Sequence, residues 1–432
     1  MNTPNRKKVP EIHTVERIIL PKVKKSTLPG GTELYALNMG DEEVIKVDLI
    51  IEGGSWYQHK NLVASSCCEI LTEGTQSYTS RQIADLMDYY GAFIMNSTTK
   101  DQAFLSLFSL KKHLAKTLPI LAEMFYAPVF PKSEFEIYLK KKFHRWRIEN
   151  EKTSVLARKK FQEALFGANH PYGRQVKEED FTALQQDDLV KYHATNYLPA
   201  RLKILVSGKL EEDVLQLIEK HFSPKGHEHK SAIKTTTKQM APASERRICI
   251  AKKNAAQSSL RIGKRTIGKA HPDFIGFDVL NTALGGYFGS RLMKNIREEK
   301  GYTYGINSVL VPMAHGSYWA VVSELGNEYL EPALEAVYDE IEKLRKVPIS
   351  NEELLLVKNY MMGDLQRSFD GPFSTSSVYK TIIENNLDLN YPEYYMKTIK
   401  SLTSDKLLEL ARKYLDPQDM YEVVAGGQEM RV

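Results

Sequence analysis

The amino-acid sequence repeats a set of features at about half its length. A Ser-x-x-Glu pattern begins at Ser133, and a second one begins at Ser350, 217 positions later. In such a pattern the serine hydroxyl and the glutamate carboxylate bind free amides, so each predicts the start of a helix. The same offset separates Asp188 from Asp405, which open two stretches that end in Tyr-Leu. This period is too long for a solenoid and predicts two copies of one domain.

Each copy combines strands and helices. Apolar strands that end in glycine, at residues 204–208 and 423–426, close the two copies. Apolar and polar residues alternate over residues 45–51, which predicts a half-buried strand. Helical spacing of apolar residues is found over residues 83–90 and 330–344. Because strands come in neighbouring groups and helices in runs, the predicted fold class is α+β, with two similar domains from an internal duplication.

The join between the copies is predicted at residues 223–243. This stretch contains prolines, glycine, three successive threonines and several lysines, and it has almost no apolar periodicity. The predicted domains are therefore residues 1–222 and 244–432. The closest pair of histidines, His227 and His229, lies in this linker, and we interpret it as part of a solvated loop because a zinc site needs a third ligand on a rigid frame.

Charge and cysteine content exclude several classes of protein. A net charge of +5 over 432 residues is too small to indicate a nucleic-acid or membrane partner. No apolar run approaches the roughly 20 residues that a membrane span needs. The basic N-terminus is not followed by the apolar segment of a secretory signal. Three cysteines, with Cys67 and Cys68 adjacent, cannot form a disulfide framework. We therefore expect a cytoplasmic protein without a membrane span.

A glycine-rich segment is the strongest candidate for function. Residues 284–292 contain three glycines and lead into residues 296–305, which read Ile-Arg-Glu-Glu-Lys-Gly-Tyr-Thr-Tyr-Gly. Glycines allow a backbone to approach a ligand closely. We expect a helix to end near Lys300 and a strand to follow with Tyr302 and Tyr304 on one face. From these residues alone, a peptide-binding motif and a loop-packing motif are equally supported.

Two other segments favour structural interpretations. Lys140, Lys141 and Lys142, with Arg145 and Arg147, form a basic stretch on a predicted helix, which is typical of a solvated helix face. The Cys67-Cys68 pair lies among apolar residues, which favours buried packing over a reactive thiol.

Motifs in both halves resemble one protein family. The glycine-rich segment and the Arg-Glu-Glu-Lys-Gly-Tyr-Thr-Tyr-Gly run are similar to the C-terminal half of the insulinase-like (pitrilysin) zinc peptidases, which include the mitochondrial processing peptidases. The N-terminal half is similar to the same family at residues 52–56, 73–75, 86–101 and 163–173. The resemblance covers essentially the whole chain. It implies two similar α+β domains that form half of a clamshell chamber.

The chain departs from this family at the metal site. Active members carry His-x-x-Glu-His just before a Gly-Thr pair, and alignment on that pair puts Ser65, Cys68 and Glu69 at the three positions. The family's third ligand, a glutamate, falls at or near Arg145. Because zinc needs three protein ligands to hold a hydrolytic water, this degenerate site implies that the chain binds no metal. We expect zinc in a partner subunit.

The residues that family members place across from the metal are present. Arg297 and Tyr304 match them with the family's spacing. The resemblance implies that Arg297 binds a substrate carbonyl and that Tyr304 stabilises the oxyanion of the tetrahedral intermediate. We assign the neighbouring motif residues to substrate binding, namely Gly285, Gly286, Phe288 and Ser290.

The favoured hypothesis is a non-zinc-binding subunit of a heterodimeric peptidase. Its partner would be a homologous chain with His-x-x-Glu-His, and its substrates would be peptides or unfolded segments. A homodimer in isolation is compatible with the sequence. The alternative is a non-catalytic scaffold or peptide-binding protein of the same fold, in which Arg297 is a packing residue. An autonomous protease with a different site has little support, because the sequence contains no compensating cluster of His, Cys and carboxylates.

Overall fold

The computed structural model describes residues 15, 18–223 and 238–427. The N-terminal half forms one six-stranded sheet with strand order β1-β2-β6-β3-β5-β4 and a set of helices. The strands are β1 (Val23–Thr27), β2 (Glu33–Asn38), β3 (Val44–Ile51), β4 (Phe93–Thr98), β5 (Ala103–Leu110) and β6 (Leu202–Gly208). The helices are α1 (Val63–Ile70), α2 (Ser80–Tyr89), α3 (Leu114–Tyr126), α4 (Lys132–Asn150), α5 (Thr153–Phe166), α6 (Glu178–Ala183), α7 (Gln186–Asn196) and α8 (Glu212–Phe222).

The C-terminal half forms a five-stranded sheet with strand order β7-β11-β8-β10-β9. The strands are β7 (Arg247–Ala251), β8 (Gln257–Thr266), β9 (Thr303–Val311), β10 (Ser317–Gly326) and β11 (Tyr421–Gly426). The helices are α9 (Phe274–Asn281), α10 (Leu330–Lys346), α11 (Asn351–Ser368), α12 (Pro372–Glu384), α13 (Tyr391–Ser401) and α14 (Ser404–Tyr414). Two π-helical segments, Thr282–Gly286 and Met293–Glu299, follow α9. None of the helices formed by the described residues is both long enough and apolar enough to cross a bilayer.

The two sheets share one topology. The order β2-β6-β3-β5-β4 in the first half corresponds strand by strand to β7-β11-β8-β10-β9 in the second. In the first set, β6 runs parallel to β2 and antiparallel to β3. In the second set, β11 likewise runs parallel to β7 and antiparallel to β8. The predicted pair of similar α+β domains is therefore confirmed. The exact domain boundaries stay predictions. Most of the predicted linker, with His227 and His229, lies outside the described residues.

The two halves exchange one helix each. Helix α5 of the N-terminal half packs on β8 and β11, and α12 of the C-terminal half packs on β2, β3 and β6. Because α12 covers its outer face, β3 is buried on both sides, and the predicted half-buried strand is wrong. Lys46 and Asp48, the polar residues of that strand, form a buried ion pair of 2.8 Å. The Asp48 carboxylate also accepts a hydrogen bond of 3.2 Å from Ser376 in α12.

A cluster of aromatic and polar side chains joins the halves. The indole of Trp56 stacks on the imidazole of His315, with ring centroids 3.9 Å apart. The hydroxyl of Tyr172 accepts a hydrogen bond of 3.0 Å from the His315 amide and donates one to Asp101. Asp101 also accepts 2.9 Å from the amide of Ala314. Trp56, Asp101 and Tyr172 belong to family motifs of the N-terminal half. Those motifs therefore form the contact with the loop between β9 and β10, which contains Ala314 and His315.

The two predicted capping boxes differ in outcome. Ser350 precedes α11, and its hydroxyl accepts a hydrogen bond of 3.1 Å from the amide of Glu353, so this N-terminus is confirmed. The box predicted at Ser133 is wrong, because α4 begins at Lys132 and no side chain caps it. The amide of Phe135 binds the carbonyl of Pro131, so Ser133 already lies within the first turn.

Candidate functional site

Helix α1 carries three of the four degenerate metal positions. It packs against α4, α7 and strands β4 and β5, which buries one face of the helix. Cys67 and Cys68 lie on that buried face, so the prediction of buried packing is confirmed. Ser65 and Glu69 are only half-buried. The hydroxyl of Ser65 is 3.2 Å from the carbonyl of Leu62, one turn earlier, so its hydrogen bond stays within the helix backbone.

Cys68 is a buried thiol that hydrogen-bonds to backbone carbonyls. Its Sγ lies 3.4 Å from the carbonyl oxygen of Ser97 and 3.6 Å from that of Phe104, both of which accept from the thiol. Burial raises the pKa of Cys68 above its ordinary value. Since a thiolate is the form that binds metals and attacks electrophiles, Cys68 supplies neither a ligand nor a general base at neutral pH.

Glu69 forms an ion pair inside the protein. One carboxylate oxygen is 2.8 Å from the Nζ of Lys142 on α4, and the other accepts a hydrogen bond of 3.1 Å from the hydroxyl of Tyr138. Lys142 also donates to the Tyr138 oxygen at 2.5 Å. Burial lowers the pKa of Lys142, while the charge of Glu69 opposes that change. An ammonium group from the chain itself thus neutralises the carboxylate, and we call this contact the Glu69–Lys142 pair.

Arg145 lies one turn beyond Lys142 on α4 and is exposed. Its positive charge contributes to the lowered pKa of Lys142, so the two cations are close enough to repel. Lys140, Lys141 and Arg147 are exposed too, as the solvated-face interpretation predicts. Lys142 departs from that interpretation because its side chain turns inward to Glu69.

The residues at the degenerate metal site do not fit zinc. A hydroxyl bound to backbone, a buried thiol, a carboxylate already paired with lysine and an arginine do not provide the three donors of a hydrolytic zinc site. Over residues 18–223 and 238–427, no three His, Cys, Asp or Glu side chains come together as a metal site. No metal-dependent step can therefore be assigned to these side chains.

Arg297 and Tyr304 lie side by side on the C-terminal half. Arg297 is on the second π-helical segment and Tyr304 is on β9. The Nε of Arg297 donates to the carbonyl of Tyr304 at 3.0 Å, and its guanidinium lies 4.6 Å from the ring centre of Phe288. The side chain of Tyr304 is 93% exposed and that of Phe288 64%. The structure thus brings three predicted site residues into one exposed group.

Tyr302 does not share the face of Tyr304. It precedes β9 and stacks on Tyr329 with ring centroids 5.1 Å apart, so the expectation of one face for both tyrosines is wrong. The π-helical turn before the strand is the physical reason, because the amide of Tyr302 binds the carbonyl of Ile296 and ties the residue to that turn.

The other predicted substrate-binding residues differ in their surroundings. A Cβ on Gly285 would come within 2.5 Å of the Ser308 amide, so the glycine permits close contact with β9. Ser290 is buried, whereas Gly286 is exposed. Of the four, Phe288 is the one in contact with Arg297. Their role in substrate binding stays a prediction.

Sequence reasoning missed Tyr138 and Lys142 as residues of the degenerate site. Their spacing was the available signal, because positions 138, 142 and 145 recur every three or four residues and lie on one helix face. The interpretation of the lysine run as uniformly solvated hid this pattern.

Comparison with known proteins places both halves in one family. Residues 37–177 match insulinase (peptidase family M16), and residues 183–361 match the peptidase M16 inactive domain. An uncharacterized zinc protease, YmxG, of Bacillus subtilis is 23% identical over 82% of this chain and 86% of its own. A non-peptidase homolog, YmxG, of Helicobacter pylori is 22% identical over 89% of each chain.

Solved structures show the same fold over nearly the full length. The peptidase M16 inactive domain of Pseudomonas fluorescens superposes with a TM-score of 0.86 at 24% identity, over 95% of this chain and 99% of that one. A protease of Helicobacter pylori gives a TM-score of 0.85 at 19% identity, over 94% and 100%. Together with the motifs and the degenerate metal positions, these matches show that the chain belongs to the insulinase family of peptidases, M16, and resembles its inactive, non-zinc-binding members.

Proposed function

We propose that this chain is the non-zinc-binding subunit of a heterodimeric insulinase-like peptidase. Its partner would be a homologous subunit that carries His-x-x-Glu-His and zinc. One observation carries the proposal: the degenerate metal site is closed by the Glu69–Lys142 pair, while Tyr304 is exposed beside Arg297, whose Nη1 lies 3.8 Å from the carboxylate of Glu298. The metal-binding positions are replaced, while the residues expected to face the metal are still accessible. This arrangement fits an active site that is shared between two chains.

The geometry around Arg297 suits it to binding a peptide carbonyl. Its Nε is engaged by the Tyr304 carbonyl, and its guanidinium lies over the ring of Phe288. These two contacts restrict the side chain, so that little rotamer entropy is lost when the terminal nitrogens bind a substrate. The hydroxyl of Tyr304 can donate to the oxyanion that forms when water attacks the carbonyl. Removal of one such donor costs about 3 kcal/mol of transition-state stabilisation in other enzymes.

The substrates would be extended peptides. Strand β4 is the edge of the first sheet, and its outward residues Phe93 and Met95 are exposed. An exposed edge strand can pair with a peptide through main-chain hydrogen bonds. Asn96 on this strand binds the carbonyls of Cys68 and Glu69, which connects the edge to the degenerate site.

A reducing compartment such as the cytoplasm is part of the proposal. Cys67 and Cys68 are adjacent in sequence, buried, and not joined in a disulfide. An odd total of three cysteines with this adjacent pair suits an environment in which thiols stay reduced.

The second candidate is a non-catalytic protein that binds peptides or a partner in the same chamber. The Helicobacter pylori relative, which is described as a non-peptidase homolog, favours it. In this case Arg297 would be a packing residue, and its contact with Phe288 would stabilise the surface only.

The test is peptide cleavage by the purified complex of this chain with its co-purifying partner. Arg297→Ala and Tyr304→Phe should each lower kcat by about 10²-fold without altering association in size-exclusion chromatography. Arg367→Ala is the matched control, because Arg367 is 80% exposed on α11 and pairs only with Asp364 among the described residues. Unchanged turnover in the Arg297 and Tyr304 variants would refute the proposal. A stable complex that cleaves nothing would favour the non-catalytic candidate.

A further inference from the structure

A polar cavity lies beside Tyr304. It has a volume of about 440 Å³ and is formed by β8, β9 and β10 together with the start of α5. Its wall contains hydroxyl, amide and guanidinium groups from Ser154, Ser259, Arg261, Thr303 and Asn307. The cavity therefore lies where the N-terminal half covers the sheet of the C-terminal half, next to the proposed catalytic group.

Arg261 places a positive charge in this wall, and it has no ion-pair partner among the described residues. It lies in the middle of β8, between Val322 of β10 and Val423 of β11. Its Nε is buried and has no hydrogen-bond partner among the described residues. Burial lowers the pKa of Arg261, and the nearby charge of Arg158 adds to that effect. An arginine remains charged under these conditions, so the guanidinium can bind an anion that enters the cavity.

The protein supplies little to neutralise this charge. Glu324 lies on the cavity wall and raises the pKa of Arg261 slightly through its charge, but within the described residues it forms no ion pair with the guanidinium. Arg158 lies one turn after Ser154 on α5, is exposed, and adds positive charge on the same side. The balance near Arg261 is two cations against one acid, in a concave site that is partly shielded from water.

We propose that this cavity binds a carboxylate of the peptide substrate. The proposal rests on the proposed function, because Tyr304 forms part of the wall and would face the peptide bond to be cleaved. A carboxylate could take charge-assisted hydrogen bonds from Arg261 and further bonds from Ser259 and Asn307. Its source is either an Asp or Glu side chain or the C-terminal carboxylate of the peptide. A side-chain source would make the cavity selective for acidic peptides, whereas a C-terminal source would make it selective for peptide ends.

The test measures binding rather than cleavage. Fluorescein-labelled decapeptides that differ only by Glu or Gln at one central position, with amidated C-termini, are titrated into the full chain and followed by fluorescence anisotropy. The position is scanned along the peptide. We expect at least one Glu peptide to bind about tenfold more tightly than its Gln partner, and this ratio to fall with salt. A third peptide with a free C-terminus and no acidic residue distinguishes the two carboxylate sources.

Variants connect the preference to the cavity. Arg261→Gln should reduce the Glu/Gln ratio to about one, and Arg158→Gln, at an exposed position, should reduce it by about threefold. Arg367→Gln should leave it unchanged. If Arg261→Gln lowers thermal stability strongly, the Arg158 variant alone decides. Equal binding of all peptides, no binding of any, or a preference that survives both substitutions would overturn the proposal.

The same experiment separates this proposal from the proposed function. Arg297→Ala should retain the preference for Glu, because its guanidinium lies outside the cavity wall. A preserved preference together with unchanged turnover in that variant would refute the catalytic role and leave the cavity assignment standing. Loss of turnover in Arg297→Ala, together with no preference for Glu in the unsubstituted chain, would refute the cavity assignment and leave the catalytic role standing.

Discussion

Replacement of Lys142 by methionine tests how much the Glu69–Lys142 pair at the degenerate metal site contributes to stability. The side chains of Lys142 and Glu69 are 17% and 35% exposed, with nitrogen and oxygen 2.8 Å apart. At an effective dielectric constant of about 20, the attraction at this distance is roughly 6 kcal/mol, most of which the desolvation of the two groups offsets. Since Glu69 is about a third exposed, solvent screening reduces the remainder further.

The expected loss is about 1–2 kcal/mol in the free energy of unfolding, because Glu69 retains Tyr138 but loses its counter-charge. For a domain of this size that corresponds to a decrease in Tm of about 3–6 °C. The assay is thermal unfolding by circular dichroism at pH 7. A double-mutant cycle with Glu69→Gln isolates the pairwise energy, which we expect at about 1 kcal/mol.

Lys140→Met is the matched control, since Lys140 lies on the same helix but is exposed. It should change the stability by less than about 0.5 kcal/mol. A coupling energy in the double-mutant cycle that is indistinguishable from zero would refute the reasoning, because Glu69 and Lys142 would then be independent surface groups. A decrease in Tm as large for Lys140→Met as for Lys142→Met would show that helix propensity, rather than the pair, accounts for the effect.

Further predictions concern packing, pH dependence and metal. Gly285→Ala should destabilise the chain by about 1–3 kcal/mol, since its Cβ would overlap Ser308, and a Tm equal to the wild-type value would contradict this. Burial raises the pKa of Glu384 to about 7. Its folded pKa therefore exceeds the unfolded one, and stability decreases as pH rises from about 4.5 to 7. Glu384→Gln should thus raise Tm at pH 8 and lose most of that gain at pH 4.5; a pH-independent gain would argue against titration. Trp56→Ala should lower the free energy of unfolding by about 3–5 kcal/mol, because it removes the stack on His315. Urea unfolding measures this, and a loss below about 1 kcal/mol would contradict the role of the stack in joining the two halves. EDTA should leave the Tm of the isolated chain unchanged; a decrease would reveal a bound metal.

The duplication has consequences for where function can lie. In the N-terminal half, α1 lies next to the edge strand β4 and carries the degenerate metal positions. In the C-terminal half, the corresponding place is held by α9 and the first π-helical segment, beside the edge strand β9. Residues of this second edge, Arg297 and Tyr304, would therefore face a partner's metal site if two such chains met with their edges opposed. The same topology thus carries a different set of side chains at each of the two edges.

Much of the architecture could be predicted from the sequence. The repeat at an offset of 217 indicated two similar domains, because each copy keeps its own helix starts and strand ends. The family resemblance also implied that the zinc ligands are replaced, since Ser65 and Arg145 cannot act as His and Glu. The family resemblance implied that Arg297 and Tyr304 act as a pair, and the structure places them in contact.

Other features were decided only by the tertiary structure. Lys142 was read as a solvated lysine because its partner, Glu69, is on another helix. Strand β3 was read as half-buried because its alternating pattern contains no information about α12, which reaches it from the other half of the chain. The cavity around Arg261 likewise needs residues of α5 and of three strands. Sequence patterns report local periodicity and residue identity, whereas the charge balance of a buried group depends on which distant side chains surround it.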